Sequence, residues 1–324
     1  MTSRAEVTFI VVTFNHERWI TQCLDSAVNQ TLEESRIIVL DDASQDSTVQ
    51  VVEQYMSEHP GRVELVAHSV NQGLGRTLTE GLSLVETTYF AYISGDDWME
   101  PERLAVQVPA MKARGDRAGL SYADVYRADA SGERIGSTLS ERMGDSWKPY
   151  AVEPYRLLLE GNWLPAPSIL LRTEALRAVG GYDQDLFYED HDVALRVARE
   201  YDLVYVDHPI ATHRELEGSL GDRMFFRSEH RAQWLRARLR ILGKHLGGDN
   251  DDVIAPEMYR LLVALYLGGG KSAETRVGLR QVARVLTPRP QDFAWFQTLA
   301  MWRVPGRVAA RATGLRARIR RSSS

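Results

Sequence analysis

Two adjacent carboxylates, Asp96 and Asp97, follow a short apolar run at residues 89–93. The run has the length and the aromatic and β-branched composition of a buried strand. Carboxylates at the end of a buried strand are costly unless a cation or hydrogen-bond donors satisfy them, and ligands of open α/β sheets bind at this end. Because neighbouring side chains of a strand point apart, one acid can face a metal that carries a diphosphate and the other a sugar hydroxyl. The alternative is a solvated Asp-Asp turn before a helix.

The overall composition indicates a soluble globular protein. Its 324 residues are 44% hydrophobic and 26% charged, and Cys23 is the one cysteine, which excludes a disulfide framework and a cysteine-based zinc site. The net charge is −5, and residues 303–324 contain seven arginines and no acids, which leaves −12 for residues 1–302. This acidic body argues against nucleic-acid binding, whereas the basic tail leaves open a peripheral contact with an anionic membrane. We expect a cytoplasmic protein without a signal peptide or a membrane span.

Alternating strands and helices in the first third predict a parallel, doubly wound α/β sheet. The predicted strands are 7–13, 36–40, 63–67 and 89–93, and the predicted helices are 19–30, 49–58 and about 71–85. Strand 7–13 is continuously apolar, as expected for a strand buried on both faces.

The second half of the chain has a mixed pattern. Its predicted strands are 119–126, 169–171 and 203–206, its predicted helices are 153–159, 173–179 and 193–200, and its predicted loops include 129–146 and 208–220. From residue 222 onward the pattern is helical. We therefore expect a main domain at 1–220, with halves at 5–110 and 111–220, a helical extension at 221–302 and a basic tail at 303–324.

Polar turns follow four predicted strands of the first third. Such strand ends lie on one edge of a parallel sheet, so their side chains converge. Carboxylates can accept hydrogen bonds from a base or a ribose, and an arginine can bind phosphate. The chain has no Gly-x-Gly-x-x-Gly or Walker-type loop, so a divalent metal is the natural neutraliser of a diphosphate here. The turns contain Thr13, Asn15, Asp41, Asp42, residues 71–76 and residues 94–97.

Five motifs in this order form a recognisable set. They are Val-Thr-Phe-Asn15, Leu-Asp-Asp-Ala-Ser-Gln-Asp-Ser-Thr48, Asn71-Gln-Gly-Leu-Gly, Ser-Gly-Asp-Asp97, and Gly-Gly-Tyr-Asp followed by Glu189-Asp190. Over about residues 5–220 the chain resembles the inverting family 2 glycosyltransferases, which have the GT-A fold. The resemblance implies transfer of a sugar from a nucleotide-sugar, commonly a UDP-sugar, to an acceptor hydroxyl, with Mg²⁺ or Mn²⁺ stabilising the departing diphosphate. It also implies a glycan or lipid-linked acceptor, as in cell-surface polysaccharide synthesis.

The resemblance also implies roles for individual residues. It places Thr13, Asn15, Asp41 and Asp42 in the nucleotide pocket, Arg76 and Arg214 on phosphate, Asp96 on the ribose or metal, Asp97 on the metal, Asp190 as the catalytic base, and Glu189 and Trp163 near the acceptor. An inverting displacement needs one carboxylate to take the proton of the attacking hydroxyl. Ser94 replaces the first acid of the commoner Asp-x-Asp-Asp motif.

The chain departs from the family's loop motif at two positions, and two alternative functions remain open. His213 and Leu216 occupy the Tyr and His positions of the family's Tyr-Arg-x-His loop, so we interpret His213 as a loop histidine in preference to a metal ligand. Glu189, Asp190 and Asp192 also have a purely structural interpretation as favourable acids at a helix N-terminus. The alternative functions are a sugar-nucleotidyltransferase, which should carry a Gly-rich phosphate loop near the N-terminus, and a non-catalytic nucleotide-sugar-binding protein.

Overall fold

The computed structural model describes residues 5–32, 35–135, 153–223, 230–268, 272–287, 290 and 292–301. The chain divides into two compact units, Met1–Leu216 and Glu217–Ser324. The predicted tail at 303–324 and the predicted loop residues 136–146 lie outside the described residues.

The first unit is a layered α/β structure. Its strands are β1 (Val7–Thr13), β2 (Ser35–Asp41), β3 (Glu64–Ala67), β4 (Tyr89–Ser94), β5 (Trp98–Met99), β6 (Ala118–Ala123), β7 (Tyr126–Ala128), β8 (Leu170–Arg172), β9 (Asp202–Val206) and β10 (Ala211–Arg214). Seven of them form one sheet in the order β3-β2-β1-β4-β8-β6-β9. Only β8 is antiparallel to its neighbours in this sheet. The mostly parallel sheet predicted from the alternating pattern is therefore confirmed.

Helices connect these strands. They are α1 (Ile20–Val28), α2 (Thr48–Glu58), α3 (Leu74–Leu84), α4 (Arg103–Arg114), α5 (Pro154–Glu160), α6 (Thr173–Ala178) and α7 (Glu189–Glu200). Helix α7 begins at Glu189 and not at Val193 as predicted, so the acids at its start belong to its first turn. Acids are stabilised there by the helix dipole, which explains the longer helix.

Strand β1 forms the centre of the sheet and determines where the polar turns lie. All its residues are buried, since β2 and β4 flank it and helices α1 and α3 contact it. Its register pairs Thr13 with Asp41 on one side and Val12 with Ser94 on the other. The turns that follow β1, β2 and β4 consequently start at one edge of the sheet, as expected.

A second, three-stranded sheet differs from the prediction. Strand β10 lies in the predicted loop at 208–220, where it pairs antiparallel with β5 and parallel with β7. The predicted strand 119–126 is likewise divided, because β6 belongs to the large sheet and β7 to the small one. The loop prediction was wrong because β10 depends on partners far away in the chain. Its position beside β5 brings residues 213 and 214 next to the Asp96–Asp97 turn.

The second unit is helical where it is described, as predicted. Its helices are α8 (Arg231–Gly243), α9 (Asp251–Leu267), α10 (Ser272–Val282) and α11 (Phe293–Met301). No helix within the described ranges combines the length and the apolar character needed to cross a membrane.

A buried polar network joins helix α4 to the segment before β8. Gln107 Nε2 donates to Ser168 O at 2.8 Å, and Gln107 Oε1 accepts from Arg103 Nε at 3.2 Å. Arg103 Nη2 donates to Ile169 O at 2.9 Å, and Arg103 and Gln107 are both fully buried. Because buried polar groups must be paired, this network fixes residues 168 and 169 against helix α4.

We expect Gln107→Leu, which keeps the side-chain volume, to lower the free energy of unfolding by about 1–3 kcal/mol, because it leaves a buried carbonyl and a buried guanidinium with fewer partners. Urea unfolding followed by circular dichroism measures the loss. The matched control is Gln50→Leu on the exposed face of helix α2. Equal stability of the two variants would contradict a structural role for the network.

Candidate active site

The acids after β2 are held by backbone and side-chain donors of two loops. Asp41 accepts from the Ser44 amide at 2.9 Å and from the Ser44 hydroxyl at 2.5 Å. Asp42 accepts from the amides of Gln72 and Gly73, both at 2.8 Å, and both acids are buried. The carboxylates therefore shape the loop edges at which the resemblance places a nucleotide.

His68 is a partner of Asp42 that the sequence analysis did not identify. Its Nδ1 lies 3.0 Å from Asp42 Oδ1, and its Nε2 lies 2.9 Å from Glu80 Oε2. Burial alone would raise the pKa of Asp42, but the Gln72 and Gly73 amides and His68 together lower it. Asp42 is thus held as a carboxylate, the form that can accept from a base N–H.

The turn after β1 reaches across to the turn after β2. Asn15 has a left-handed backbone with φ 59°, and its Oδ1 accepts from the Gln45 amide at 2.7 Å. The Asn15 amide donates to Ser44 Oγ at 2.8 Å. Thr13 Oγ1 is buried and has no hydrogen-bond partner among the described residues. Asn15 therefore organises the pocket edge, while Thr13 keeps an unsatisfied hydroxyl beside it.

Asp97 is 4% exposed, and strand β10 satisfies its carboxylate. The Arg214 amide donates to Asp97 Oδ1 at 2.8 Å, and His213 Nδ1 lies 3.1 Å from the same oxygen. Asp96, 8% exposed, has its Oδ2 at 3.9 Å from His16 Nε2. The two acids therefore have separate surroundings, as the strand alternation predicts.

The pairing of Asp97 with His213 affects both side chains. Burial opposes the charged form of His213, but the Asp97 carboxylate outweighs it and raises the pKa of His213 to about 9. Burial also raises the pKa of Asp97, although His213 counteracts this. The two side chains therefore stabilise each other's charged form.

The side chains of Asp96 and Asp97 are suited to a divalent metal ion that enters the site together with a diphosphate. Within the described part of the chain, no three His, Cys, Asp or Glu side chains are grouped closely enough to form a complete metal site. Mg²⁺ is commonly held by one or two carboxylates, with phosphate oxygens and water completing its shell. Asp97 and Asp96 would supply the carboxylates, and His213 Nδ1 lies 3.1 Å from Asp97 Oδ1. The sequence pattern predicted His213 to be a loop histidine, and the pairing of β10 with β5 is what brings it beside Asp97.

Arg214 is 2% exposed and is engaged inside the protein. Its Nε donates to Asp96 O at 2.9 Å, its Nη2 donates to Gln22 Oε1 at 2.6 Å, and its Nη1 donates to Asp129 O and Ala130 O, each at 3.2 Å. The guanidinium also lies over the Trp98 ring, 4.8 Å from its centroid. Its role as a phosphate contact stays a prediction, but the structure shows that it connects helix α1, the Asp96 turn and the loop after β7.

Asp190 and Glu189 stand in the first turn of helix α7 with different surroundings. Asp190 is partly exposed, and its oxygens accept from Asn162 Nδ2 at 2.9 Å and from the His191 amide at 2.8 Å. Glu189 is 3% exposed and accepts from the Tyr92 hydroxyl at 2.6 Å. The Tyr92 bond attaches the start of helix α7 to strand β4, which leads directly to Asp96 and Asp97.

The different surroundings of Glu189 and Asp190 also give these two acids different pKa values. Burial, reinforced by the charge of Asp190, raises the pKa of Glu189 to about 8. Burial also raises the pKa of Asp190 to about 6, although the His191 amide and Asn162 counteract it. Near neutral pH Glu189 is therefore protonated while Asp190 is ionised, and Asp190 is the member of the pair that can accept a proton.

The other predicted residues lie at the margin of this site. Arg76 is exposed on helix α3, 4.0 Å from Asp185 Oδ1. The helix approaches the loop before α7 closely, since a Cβ on Gly75 would lie 2.9 Å from the Asp183 carbonyl oxygen. Trp163 packs edge-on against Tyr122, with 5.2 Å between ring centroids. The roles of Arg76, Trp163 and Glu189 stay predictions.

Comparison with known proteins gives a family match for a little less than half of the chain. Residues 8–162 match the model for glycosyl transferase family 2. The putative glycosyltransferase EpsH of Bacillus subtilis is 30% identical over 157 residues, which are 48% of this chain and 43% of that protein. The chondroitin synthase of Escherichia coli is 29% identical over 147 residues, which are 45% of this chain and 20% of that protein. The chain thus spans less than half the length of these two relatives.

Solved structures show the same fold. The Staphylococcus aureus TarS fragment 1–349 in complex with UDP-GlcNAc superposes with a TM-score of 0.63 and 17% identity, over 94% of this chain and 88% of that chain. The mannosyltransferase PcManGT of Pyrobaculum calidifontis, in complex with GDP-Man and Mn²⁺, gives a TM-score of 0.54 and 18% identity, over 95% of this chain and 88% of that chain. The predicted GT-A fold class is confirmed. Residues 8–162 belong to glycosyl transferase family 2, as the motifs indicated.

We expect Arg214→Lys to destabilise the protein by about 1–3 kcal/mol without any ligand, because an ammonium group cannot reproduce the planar set of hydrogen bonds of a guanidinium. Urea unfolding of the ligand-free protein measures this. Arg117→Lys is the matched control, since Arg117 is an exposed arginine paired with Asp202, and we expect no measurable change. Unchanged stability of Arg214→Lys, together with weaker nucleotide binding, would instead favour the phosphate contact.

Proposed function

We propose that the chain is an inverting glycosyltransferase that moves a sugar from a nucleotide-sugar to an acceptor hydroxyl. The observation that carries this proposal is the 2.6 Å bond from the Tyr92 hydroxyl to Glu189. It attaches the start of helix α7, and with it Asp190, to the strand that ends in Asp96 and Asp97. One bound substrate molecule could therefore reach both Asp190, as the proton acceptor, and a diphosphate-bound metal at Asp96 and Asp97. A nucleotidyltransferase would need a phosphate loop that the turn after β1 does not provide.

The donor is a nucleoside diphosphate sugar, and we favour UDP as its nucleotide. The TarS fragment binds UDP-GlcNAc and PcManGT binds GDP-Man, so two different bases occur among proteins of this fold. In this chain we assign the nucleotide to the edge formed by the turns after β1, β2 and β3, with Thr13, Asn15, Asp41 and Asp42. Asp42 is the base partner, and Arg76 extends from the same edge toward the phosphates.

The chemistry is a single displacement at the anomeric carbon. The acceptor oxygen forms its bond to that carbon while the bond from the carbon to the diphosphate oxygen breaks. Asp190 takes the proton of the acceptor hydroxyl, and the nucleoside diphosphate departs as an anion. A Mg²⁺ or Mn²⁺ ion held by Asp97 and Asp96 would neutralise the negative charge of the diphosphate. Attack from the face opposite the leaving group inverts the anomeric configuration.

The acceptor is a glycan or a lipid-linked saccharide of a cell-surface polymer. The chondroitin synthase and the poly(ribitol-phosphate) beta-glucosyltransferase of Bacillus spizizenii, 30% identical over 102 residues, are named for polymer synthesis. Trp163 and Glu189 are our candidates for the acceptor side. The seven arginines of residues 303–324 would hold the protein at the anionic cytoplasmic face of a membrane.

The test is release of nucleoside diphosphate from UDP-GlcNAc, UDP-glucose, UDP-galactose and GDP-mannose, each with Mn²⁺, Mg²⁺ or chelator. We expect slow hydrolysis of one donor, lost with chelator and reduced about 100- to 1,000-fold in Asp97→Asn, because a metal supplies several kcal/mol of charge stabilisation. Asp116→Asn, which changes a fully exposed carboxylate, is the matched control.

Calorimetry with UDP and GDP on the same samples covers the case in which hydrolysis is too slow to detect. Metal-dependent nucleotide binding that Asp97→Asn weakens and Asp116→Asn retains supports the proposal. If no nucleotide binds with either metal, the glycosyltransferase proposal is wrong.

We expect the rate of donor turnover, as kcat/KM, to fall about tenfold per pH unit below about pH 6, where Asp190 becomes protonated and can no longer accept a proton. The sign follows from the raised pKa: the base is active above it and inactive below it. Asp190→Asn should abolish this acid limb and most of the rate while leaving metal-dependent nucleotide binding intact. An acid limb that appears equally in nucleotide binding would assign it to the metal site instead.

A further inference from the structure

The carboxylate of Asp190 is held at both oxygens by groups from two different parts of the chain. Oδ1 accepts from the His191 amide at 2.8 Å, which belongs to its own helix. Oδ2 accepts from Asn162 Nδ2 at 2.9 Å, which belongs to the segment after helix α5. A carboxylate held at both oxygens has one orientation, whereas one held only by its own helix can turn about its side-chain torsions.

The amide of Asn162 can be oriented in one way only. Its Oδ1 accepts from the Leu164 amide at 3.2 Å, so its Nδ2 must face Asp190. Exchange of the two amide atoms would place an oxygen against the carboxylate and a nitrogen against an N–H, and both contacts would repel. Asn162 thus presents a fixed donor to Asp190.

The segment that carries Asn162 is itself anchored. At its far end Ser168 O and Ile169 O accept from Gln107 and Arg103 of the buried network. At its near end His191 Nε2 lies 2.8 Å from Leu158 O, which joins helix α5 to helix α7. The donor of Asn162 is therefore positioned by the fold on both sides.

We propose that Asn162 is a positioning residue for the catalytic base: its amide donates to one oxygen of Asp190 and directs the carboxylate to the acceptor hydroxyl. The proposal rests on the proposed function, because it takes Asp190 as the base. Asn162, which lies outside the acidic motifs, would then keep Asp190 oriented and ionised.

The electrostatic surroundings make this donor important. The titratable and charged groups around Asp190 are Glu189, His191, Asp192 and Arg196 on its own helix, Tyr92 on strand β4, and Tyr182 in the preceding loop. Arg196 is engaged with Asp192 at 2.6 Å, so its charge is already paired with another carboxylate. The hydrogen bonds that favour the ionised form of Asp190 come from the backbone amides of His191 and Asp190 itself and from the side chain of Asn162.

Two substitutions distinguish positioning of the base from support of the local turn. Asn162→Asp keeps an oxygen for the Leu164 amide, loses the donor to Asp190 and adds a like charge beside it. Asn162→Ala loses both bonds. If Asn162 only supported the turn, Asn162→Ala would impair the protein more, because it loses the bond to the Leu164 amide. Asn162→Asp, which keeps that bond, would then behave almost like the wild type. If it positions and ionises the base, Asn162→Asp has the larger effect on the titration of Asp190.

The readout is the ¹³Cγ NMR titration of aspartate-labelled protein, with Asp190→Asn to assign the resonance. We expect the Asp190 midpoint to rise by roughly one pH unit in Asn162→Ala, and further in Asn162→Asp, where the two carboxylates share a proton. Asn29→Asp, an added charge at an exposed position, should leave the midpoint unchanged. A midpoint that stays at the wild-type value in both Asn162 variants overturns the proposal.

Kinetics and binding separate this proposal from the proposed function. With the donor that the wild type hydrolyses, we expect Asn162→Ala to lower kcat at least tenfold and to move the acid limb upward, while calorimetric binding of UDP with Mn²⁺ is unchanged. If the NMR midpoint shifts but no nucleotide binds to the wild type, the positioning contact is real and the glycosyltransferase proposal fails. If nucleotide binds and turns over but neither midpoint nor acid limb shifts, Asn162 does not position the base.

Discussion

The buried carboxylate of Asp97 is the constraint on which the arrangement of the site depends. A charge that is only 4% exposed is unstable in a protein interior unless donors surround it. Strand β10 provides them through the Arg214 amide and His213. That strand must therefore pair beside β5, and its pairing also brings in β7. The small sheet therefore holds the donors of this acid in place.

The base side of the site depends on a related need. Glu189 is as deeply buried as Asp97, and the hydroxyl of Tyr92, on strand β4, donates a hydrogen bond to it. Because β4 also leads to Asp96 and Asp97, the start of helix α7 and these two acids are attached to the same rigid strand. Burial keeps Glu189 protonated near neutral pH, which removes a second negative charge from beside Asp190. A single ionised carboxylate is what a proton acceptor requires.

Sequence patterns predicted the large sheet well and the small sheet poorly, for a physical reason. Strands β1, β2 and β4 are continuous apolar runs whose identity is local, and parallel pairing then brought the turns after them to one edge. Strand β10 has no local signature, because its stability comes from β5 and β7, which lie far away in the chain. The neighbours of Asp97 could not be derived for the same reason. Spacing alone left His213 as a loop residue.

The motifs thus carry the charges, and residues outside them add to the donors that make those charges tolerable. Asp42 is held by His68, Asp97 by His213, and Asp190 by Asn162. An acid is needed for its chemistry, so its identity is restricted, but any donor of suitable reach can satisfy its oxygen. These donors are therefore visible only in the three-dimensional structure. These donors affect the pKa of each acid. They therefore influence the pH range over which the acids are ionised and the cation that the acids can bind.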